Sequence, residues 1–298
     1  MAEPRFTILM PTFDHGAMIA HAIRSVQAQT VADFRLIVVG DGAPDVTEKL
    51  VADIAATDPR VTYRAFPKGP RTGEEHRHVL LGEVASPWIA YASDDDVWFP
   101  DHLEALVPML QGHDLVNTRP LNLTRQFADS IEKGMVARWR QRWRTGLIPQ
   151  RLVYEFRASP LKLQNTPDRA QMFDEPPRSI IGLSYVAHRL DAYRRLPQGW
   201  APAPQGCPTD LNMWRKFLCD PQCTVFSGDT VTSVHFESWQ RRDMDLATRE
   251  RELSFWAAMV ARQDVRDAIR KHMAGGCVLN AFQLIDEIMD PWTSPPLL

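Results

Sequence analysis

No stretch of the sequence approaches the roughly 18–20 consecutive apolar residues that a helix needs to cross a bilayer, so no membrane span is expected. The opening residues Met1-Ala2-Glu3-Pro4-Arg5 lack a basic region followed by an apolar run and do not read as a signal peptide. Cysteine is scarce. Cys207, Cys219, Cys223 and Cys277 are too few for a disulfide framework, and Cys219 with Cys223 lacks the second pair that a zinc site requires. A reduced, cytoplasmic chain is the resulting expectation. Basic excess is missing as well: Lys+Arg 34 against Asp+Glu 37 gives a net charge of -3, which argues against nucleic acid as a partner. No G-x-G-x-x-G follows an early strand, which removes the dinucleotide oxidoreductases. Internal repeats and low-complexity tracts are absent.

What is abundant is proline, 23 in 298 residues, well above the average of about 5%. Eight of these prolines fall between Ser159 and Pro208, which predicts loop-rich structure there. The first hundred residues instead alternate strand and helix signals. Phe6–Met10, Arg35–Val39, Val61–Arg64 and Trp88–Ala92 read as strands; Met18–Ala28, Val46–Ala56 and Thr72–Val84 read as helices. This alternation predicts a parallel sheet covered on both faces, with ligands beyond the carboxyl ends of its strands. Further on, Asp101–Leu110 reads as a helix and Leu115–Leu121 as a strand. Gly182–Ala187 reads as a strand and Asp210–Leu218 as a short helix. Val225–His235 reads as strand broken at Ser227-Gly228-Asp229. From Asp243 the chain reads as helical, with a last helix over Val278–Met289.

The strand ends carry the chemistry. Three adjacent aspartates, Asp94-Asp95-Asp96, follow the fourth strand; their mutual repulsion invites a cation, and carboxylate oxygens suit Mg2+ or Mn2+. Asp41, after the second strand, can accept hydrogen bonds from a base edge or a ribose hydroxyl. After the first strand, in Pro11-Thr12-Phe13-Asp14, the ring of Phe13 can stack on a base. Three strand ends with nucleotide-compatible groups fit one ligand better than three accidents.

Segment 6–50, FTILMPTFDHGAMIAHAIRSVQAQTVADFRLIVVGDGAPDVTEKL, resembles the opening of the family 2 glycosyltransferases of GT-A fold. YASDDDVWFPDHLEAL (91–106) is similar to that family's Asp-x-Asp region, and PTDLNMWRKF (208–217) resembles its later Glu-Asp motif followed by Trp-x-Arg. The resemblance runs from residue 5 to about 235. It implies an α/β fold, a Rossmann-like mostly parallel sheet flanked by helices, with a C-terminal helical extension. Residues 1–240 would form the GT-A domain, divided into a nucleotide-sugar half (1–100) and an acceptor half (101–240), with 241–298 as the extension. It also implies metal-dependent, inverting transfer of a sugar from a nucleoside diphosphate sugar, UDP-sugar favoured, to an acceptor hydroxyl, as in bacterial-type glycan or glycolipid assembly. Pro11, Thr12, Phe13, Asp41, Asp94 and Asp95 are the implied nucleotide-sugar contacts. Asp96, Asp95 and His235 are the implied ligands for Mn2+ or Mg2+, and Asp210 is the implied general base. Arg77, or alternatively Arg71, is the implied phosphate or base contact. From the residues alone, Asp210 also fits a helix N-cap and His235 a buried strand histidine. The sequence departs from the family where Gly40 replaces the first aspartate of a pair and Thr209 replaces the glutamate before the base.

Between Lys133 and Glu155 no acidic residue intervenes, while Arg138, Arg140, Arg142, Arg144 and Arg151 accompany Trp139 and Trp143. Three readings stand side by side: a peripheral membrane contact through 133–151, a site for an anionic glycan, or an amphipathic helix packing its tryptophans on the core. A lipid-linked acceptor would suit the first. Two other classes compete for the whole chain. A sugar nucleotidyltransferase would have a Gly-rich basic loop after the first strand, which Pro11–Gly16 does not offer. A non-catalytic nucleotide-sugar-binding module would have no reason to keep the repulsion of three aspartates.

Overall fold

The computed structural model describes residues 3–126, 153–176, 178–274 and 278–280. The basic Trp/Arg segment 133–151 and the expected helix beyond residue 280 lie outside the described residues.

The first half is the alternation that the sequence predicts. In chain order it runs β1 (Phe6–Thr12), α1 (Met18–Gln27), β2 (Phe34–Asp41), α2 (Asp45–Ala55), β3 (Val61–Phe66), α3 (Glu74–Glu83) and β4 (Trp88–Tyr91). The four strands lie parallel in the order β3-β2-β1-β4, with Phe6 opposite both Phe34 and Trp88. β1 is buried on both faces because its residues alternate between two cores. Phe6, Ile8 and Met10 meet Ile19, Ile23 and Val26 of α1, while Leu9 packs with Ile37, Val39 and Tyr91.

The second half is mixed rather than parallel. β5 (Val97–Trp98), α4 (His102–Gly112), β6 (Leu115–Gln126) and β7 (Val153–Arg157) come first. Short α5 (Thr166–Ala170) follows, then β8 (Val186–Arg189), α6 (Leu190–Arg195), α7 (Thr209–Cys219) and β9 (Val225–Phe236). β8 runs antiparallel between β4 and β6, and β7 extends the sheet antiparallel to β6. β9 pairs parallel with β6 and antiparallel with β5. β9 continues through the turn signal at Ser227-Gly228-Asp229, but its pairing with β6 shifts register there, from Asn117 opposite Ser227 to Arg119 opposite Val231. Ser227 stays buried and bonded, its hydroxyl 2.5 Å from Asn117 Oδ1, and Gly228 lies where an added Cβ would come 2.9 Å from Met109 Sδ.

Two helices, α8 (Leu246–Ala261) and α9 (Gln263–Ala274), follow, and β10 (Val278–Asn280) pairs antiparallel with β7. Residues 278–280 were expected to open a helix. A short apolar run fits either state, and the free edge of β7 decides for strand. The helices do not stand apart from the sheet. Leu253, Trp256, Val260, Val265 and Ile269 share one core with Met18 of α1, Val97 and Phe99 beside β5, Leu121 and Leu123 of β6, and Val234 and Phe236 of β9. Each such side chain, once buried, contributes roughly 1.5–3 kcal/mol, so the extension is part of the same folding unit. Among the described residues no helix is long and apolar enough to cross a membrane.

Candidate active site

The carboxyl ends of β1, β2 and β4 meet at one edge of the parallel half. Pro11 and Thr12 close β1, pairing in register with Val39 and Gly40 of β2. Phe13 follows, exposed, with Lys68 Nζ 5.2 Å from its ring centroid. At the end of β2, Asp41 is buried beneath the loop after β3. Its Oδ1 accepts from the Gly69 N–H at 2.6 Å, and its Oδ2 accepts from Lys68 Nζ at 2.7 Å. His76 Nε2 lies 3.3 Å from the same carboxylate. Burial pushes the Asp41 carboxyl up, but the Gly69 N–H and the Lys68 ammonium outweigh it, so the group lies below its ordinary range. Gly73 turns the chain at φ +70 directly against Asp41, where a Cβ would come 3.1 Å from the carboxylate carbon. Gly40 is explained by its neighbour: a Cβ there would fall 2.1 Å from the Tyr63 hydroxyl. Tyr63 therefore fills the space that a second acid at position 40 would need.

Neither candidate arginine reaches toward this edge as expected. Arg71 donates to three backbone oxygens, those of Ala203, Pro204 and Cys207, at 3.1–3.3 Å. It therefore ties the loop after β3 to the loop before α7. Arg77 is fully buried beneath the site, its guanidinium 4.1 Å from the Trp200 ring centroid and its Nη2 donating to Thr72. The turns of α3 place Arg77 inward.

The three aspartates after β4 are all buried, at 4%, 7% and 3% exposure, yet they point to different partners. Asp94 Oδ1 lies 2.7 Å from His15 Nδ1, while its Oδ2 is buried without a partner. Asp95 accepts from the Ser93 hydroxyl at 2.7 Å and from Arg249 Nη2 at 3.2 Å. Asp96, expected as a metal ligand, is turned into the protein instead. It accepts from the Ser184 hydroxyl, the Phe236 N–H at 3.0 Å and His235 Nδ1 at 2.9 Å. The β5–β9 register causes this: with Val97 opposite Val234, the next pair outward is Asp96 and His235.

The electrostatics divide the three. Burial, then Asp96 and Asp94, push the Asp95 carboxyl up. Burial also opposes ionisation of Asp96, but the His235 charge and three donors hold it below its ordinary range. Burial works against both histidines, yet their carboxylates dominate and raise His15 and His235 each to about 9.

Ligand atoms of His15, Asp94 and Asp95 lie within 4.8 Å of one another. Two carboxylates suit Mn2+ or Mg2+, an imidazole beside them favours Mn2+ of the two, and the orphaned Asp94 Oδ2 has the unused capacity of a ligand atom. The residues thus fit a divalent ion, with His15 in the place the sequence reading gave to Asp96. His235 stands outside this group, held by Asp96.

Asp210 sits in the first turn of α7, not at its cap. Pro208 is the N-cap residue, and Asp210 Oδ1 accepts from the Leu211 N–H at 2.9 Å. Burial raises its carboxyl, opposed by that N–H and by the charges of His235 and Arg77. His235, bonded to Asp96, also acts electrostatically on Asp95 and Asp210.

A family model described as glycosyl transferase family 2 matches residues 7–173. The chain belongs to that family. Among relatives, the GalNAc(5)-diNAcBac-PP-undecaprenol beta-1,3-glucosyltransferase of Campylobacter jejuni is 25% identical over 107 residues, covering 35% of this chain and 34% of that protein. The succinoglycan biosynthesis protein ExoW of Rhizobium meliloti is 30% identical over 101 residues, covering 33% and 32%. The matched segments span about a third of the length of these relatives. Among solved structures, S. aureus TarS 1-349 in complex with UDP-GlcNAc aligns at TM-score 0.54 and 11% identity, over 91% of this chain and 71% of that one. The mannosyltransferase PcManGT from Pyrobaculum calidifontis, in complex with GDP-Man and Mn2+, aligns at TM-score 0.50 and 14% identity, over 98% and 82%. The family 2 chain has the GT-A fold, a mixed sheet flanked by helices with a helical C-terminal part.

Sequence reasoning missed His15, Lys68, His76, Ser184 and Arg249. His15 and Lys68 had a signal, since each follows a strand of the parallel half. Ser184 and Arg249 had none, because they arrive from elements distant in the chain.

Proposed function

We propose that this family 2 protein is a metal-dependent, inverting glycosyltransferase that moves a sugar from a nucleoside diphosphate sugar to an acceptor hydroxyl. One observation carries the reading: the convergence of His15, Asp94 and Asp95 at the carboxyl end of β4, with an orphaned carboxylate oxygen. Family membership supports the reaction class. UDP is favoured as the nucleotide, supported by Asp41, which can accept from the N3–H of uracil, and by a structural neighbour that binds UDP-GlcNAc. A lipid-linked acceptor in glycan assembly is supported by a relative named for an undecaprenol-linked substrate. It would place the protein at the cytoplasmic face of the membrane. We assign residues 1–100 to the donor, 101–240 to the acceptor, and 241–298 to an extension that completes the core.

In this reading Phe13 stacks on the base while Asp41, fixed by Gly69 and Lys68, accepts from its edge. His15, Asp94 and Asp95 would hold Mn2+ or Mg2+, which would supply Lewis-acid stabilisation of charge on the departing diphosphate. Asp96 orients His235, and the His235 charge works with the Leu211 N–H against the upward push that burial gives the Asp210 carboxyl. Asp210 takes the proton of the acceptor hydroxyl as that oxygen attacks the anomeric carbon. The bond from that carbon to the diphosphate oxygen breaks with its electron pair going to the diphosphate, inverting the centre. Arg71, through its three carbonyl bonds, holds the loop before α7 against the donor side and so positions Asp210.

The test is nucleotide release from a panel of UDP-sugars and GDP-Man with Mn2+. Release is expected from at least one donor, and EDTA or Asp95→Asn should abolish it. No release from any donor, or release indifferent to EDTA, overturns the reading. Binding of UDP without any release would instead mark a non-catalytic module.

A further inference from the structure

Two arginines of the C-terminal part line the same small cavity beside Asp95, a space of about 10 Å3 that Glu252 also lines. They are held in contrasting ways. Arg241 is a fastened side chain. Its Nε and Nη2 grip Glu252 bidentately, each at 2.7 Å, and both terminal nitrogens donate to the Leu123 carbonyl. Arg249 has one bond, Nη2 to Asp95 Oδ2 at 3.2 Å, and its Nε is buried with no partner. A guanidinium offers five donors in a fixed fork that matches phosphate oxygens. Most of that capacity is unused at Arg249, at the edge of the site where a diphosphate is expected.

Its backbone is well anchored. Asp245 caps α8 through the Thr248 N–H at 2.8 Å, and Leu253 and Trp256 seat the helix in the core shared with Met18. With the backbone fixed, a change of partner falls to rotation of the long Arg249 side chain, which is 13% exposed. A divalent ion at Asp95 would meet the permanent charge of Arg249 on the same carboxylate. Two like charges that close in a partly buried site repel strongly.

We infer that Arg249 is a donor-binding residue that exchanges partners: it pairs with Asp95 until a divalent cation takes that carboxylate, and then transfers to the diphosphate of the donor. This rests on the glycosyltransferase reading above. It makes the C-terminal helix, which lies beyond the residues matched by the family model, a contributor to the donor site. It also couples the two ligands, because the cation that expels Arg249 supplies the donor with its guanidinium.

The experiment uses the full chain and opposes two binding readouts. Mn2+ binding without nucleotide is followed by the electron paramagnetic resonance of free Mn2+. Binding of UDP, and of GDP, at saturating Mn2+ is followed by calorimetry. Arg249→Met removes the competitor, so Mn2+ should bind at least about tenfold tighter, while the tighter of the two nucleotides should bind at least about tenfold weaker. A residue with a merely structural role would weaken both. Unchanged or weaker Mn2+ binding in Arg249→Met, or unchanged nucleotide binding, overturns the inference. Should Arg249→Met fail to fold, Arg249→Lys keeps the charge and loses the fork. It should hold Mn2+ affinity near that of the unsubstituted chain and weaken nucleotide binding, and equal nucleotide affinity overturns the inference. If Asp95→Asn binds Mn2+ as well as the unsubstituted chain does, the metal reading itself fails and this inference falls with it.

Discussion

Asp41 and Asp95 are both buried carboxylates at strand ends of one sheet, yet they are neutralised from very different distances along the chain. Asp41 takes its partners from the next strand–helix unit, Lys68 and Gly69, 27 and 28 residues downstream. Asp95 takes its cation, Arg249, from 154 residues away. The difference follows from topology. Successive βα units of a parallel sheet lie side by side, so the loop after one strand covers the end of its neighbour. Where the sheet turns antiparallel, strand order no longer follows chain order, and packing of late elements must supply the partners. A site that spans both regimes has a donor-base pocket built locally and a catalytic centre assembled from the whole chain.

The largest effect that would sharpen this contrast is expected at the assembled end. Asp95→Asn should lower transfer by about a thousandfold or more and abolish the Mn2+ dependence of UDP release. A variant that keeps metal-dependent turnover would break the assignment. Next comes Asp210→Asn, expected to reduce kcat by about a hundred- to ten-thousandfold with UDP affinity retained in calorimetry. Burial raises this carboxyl, while the Leu211 N–H and the charges of His235 and Arg77 pull it back. A base must be ionised to accept a proton. The rate of the unsubstituted protein should therefore fall as pH drops through that raised value, and this acidic limb should vanish in Asp210→Asn.

On stability the contrast is tested at Arg241 and Glu252, which are 2% and 1% exposed at the side chain. Arg241→Met would leave Glu252 buried without its cation, at a cost of about 3–5 kcal/mol by urea unfolding. A loss under 1 kcal/mol would show that the C-terminal helix is not fastened there. In the parallel half, Gly40→Ala sets a Cβ against the Tyr63 hydroxyl and should cost roughly 1–3 kcal/mol. The smallest effect is expected at Asp41→Ala, about tenfold in UDP affinity, since one charge-assisted hydrogen bond to the base is lost. Mn2+ binding should be untouched, and a parallel loss of Mn2+ would merge the two ends of the site that the comparison separates.

The parallel half was legible because its signals are local. Leu36-Ile37-Val38-Val39 is a short, largely β-branched run closed by Gly40, which reads as a buried strand, and the spacing of Ile19, Ala22, Ile23 and Val26 puts them on one side of a helix. Once strands and helices alternate, Phe13, Asp41 and the aspartate triplet fall at one edge. The roles within the triplet were not legible. Asp95 and Asp96 are chemically identical neighbours, and Asp96 is turned inward by Ser184, His235 and the Phe236 N–H, none of which its own segment announces. Arg77, or alternatively Arg71, read as a ligand contact because the family resemblance implies an arginine in that stretch of the chain. Packing turned one toward the loop before α7 and the other under Trp200.

By itself the sequence determined the family, the strand–helix order through Tyr91, and the strand ends where chemistry collects. Side-chain period and βα connectivity act over a few residues and are written in the chain. Only the tertiary structure decided that Asp94 keeps a free oxygen and that an arginine, Arg249, faces Asp95. A buried carboxylate goes where its donors are, and packing brings these from 88, 139 and 154 residues away.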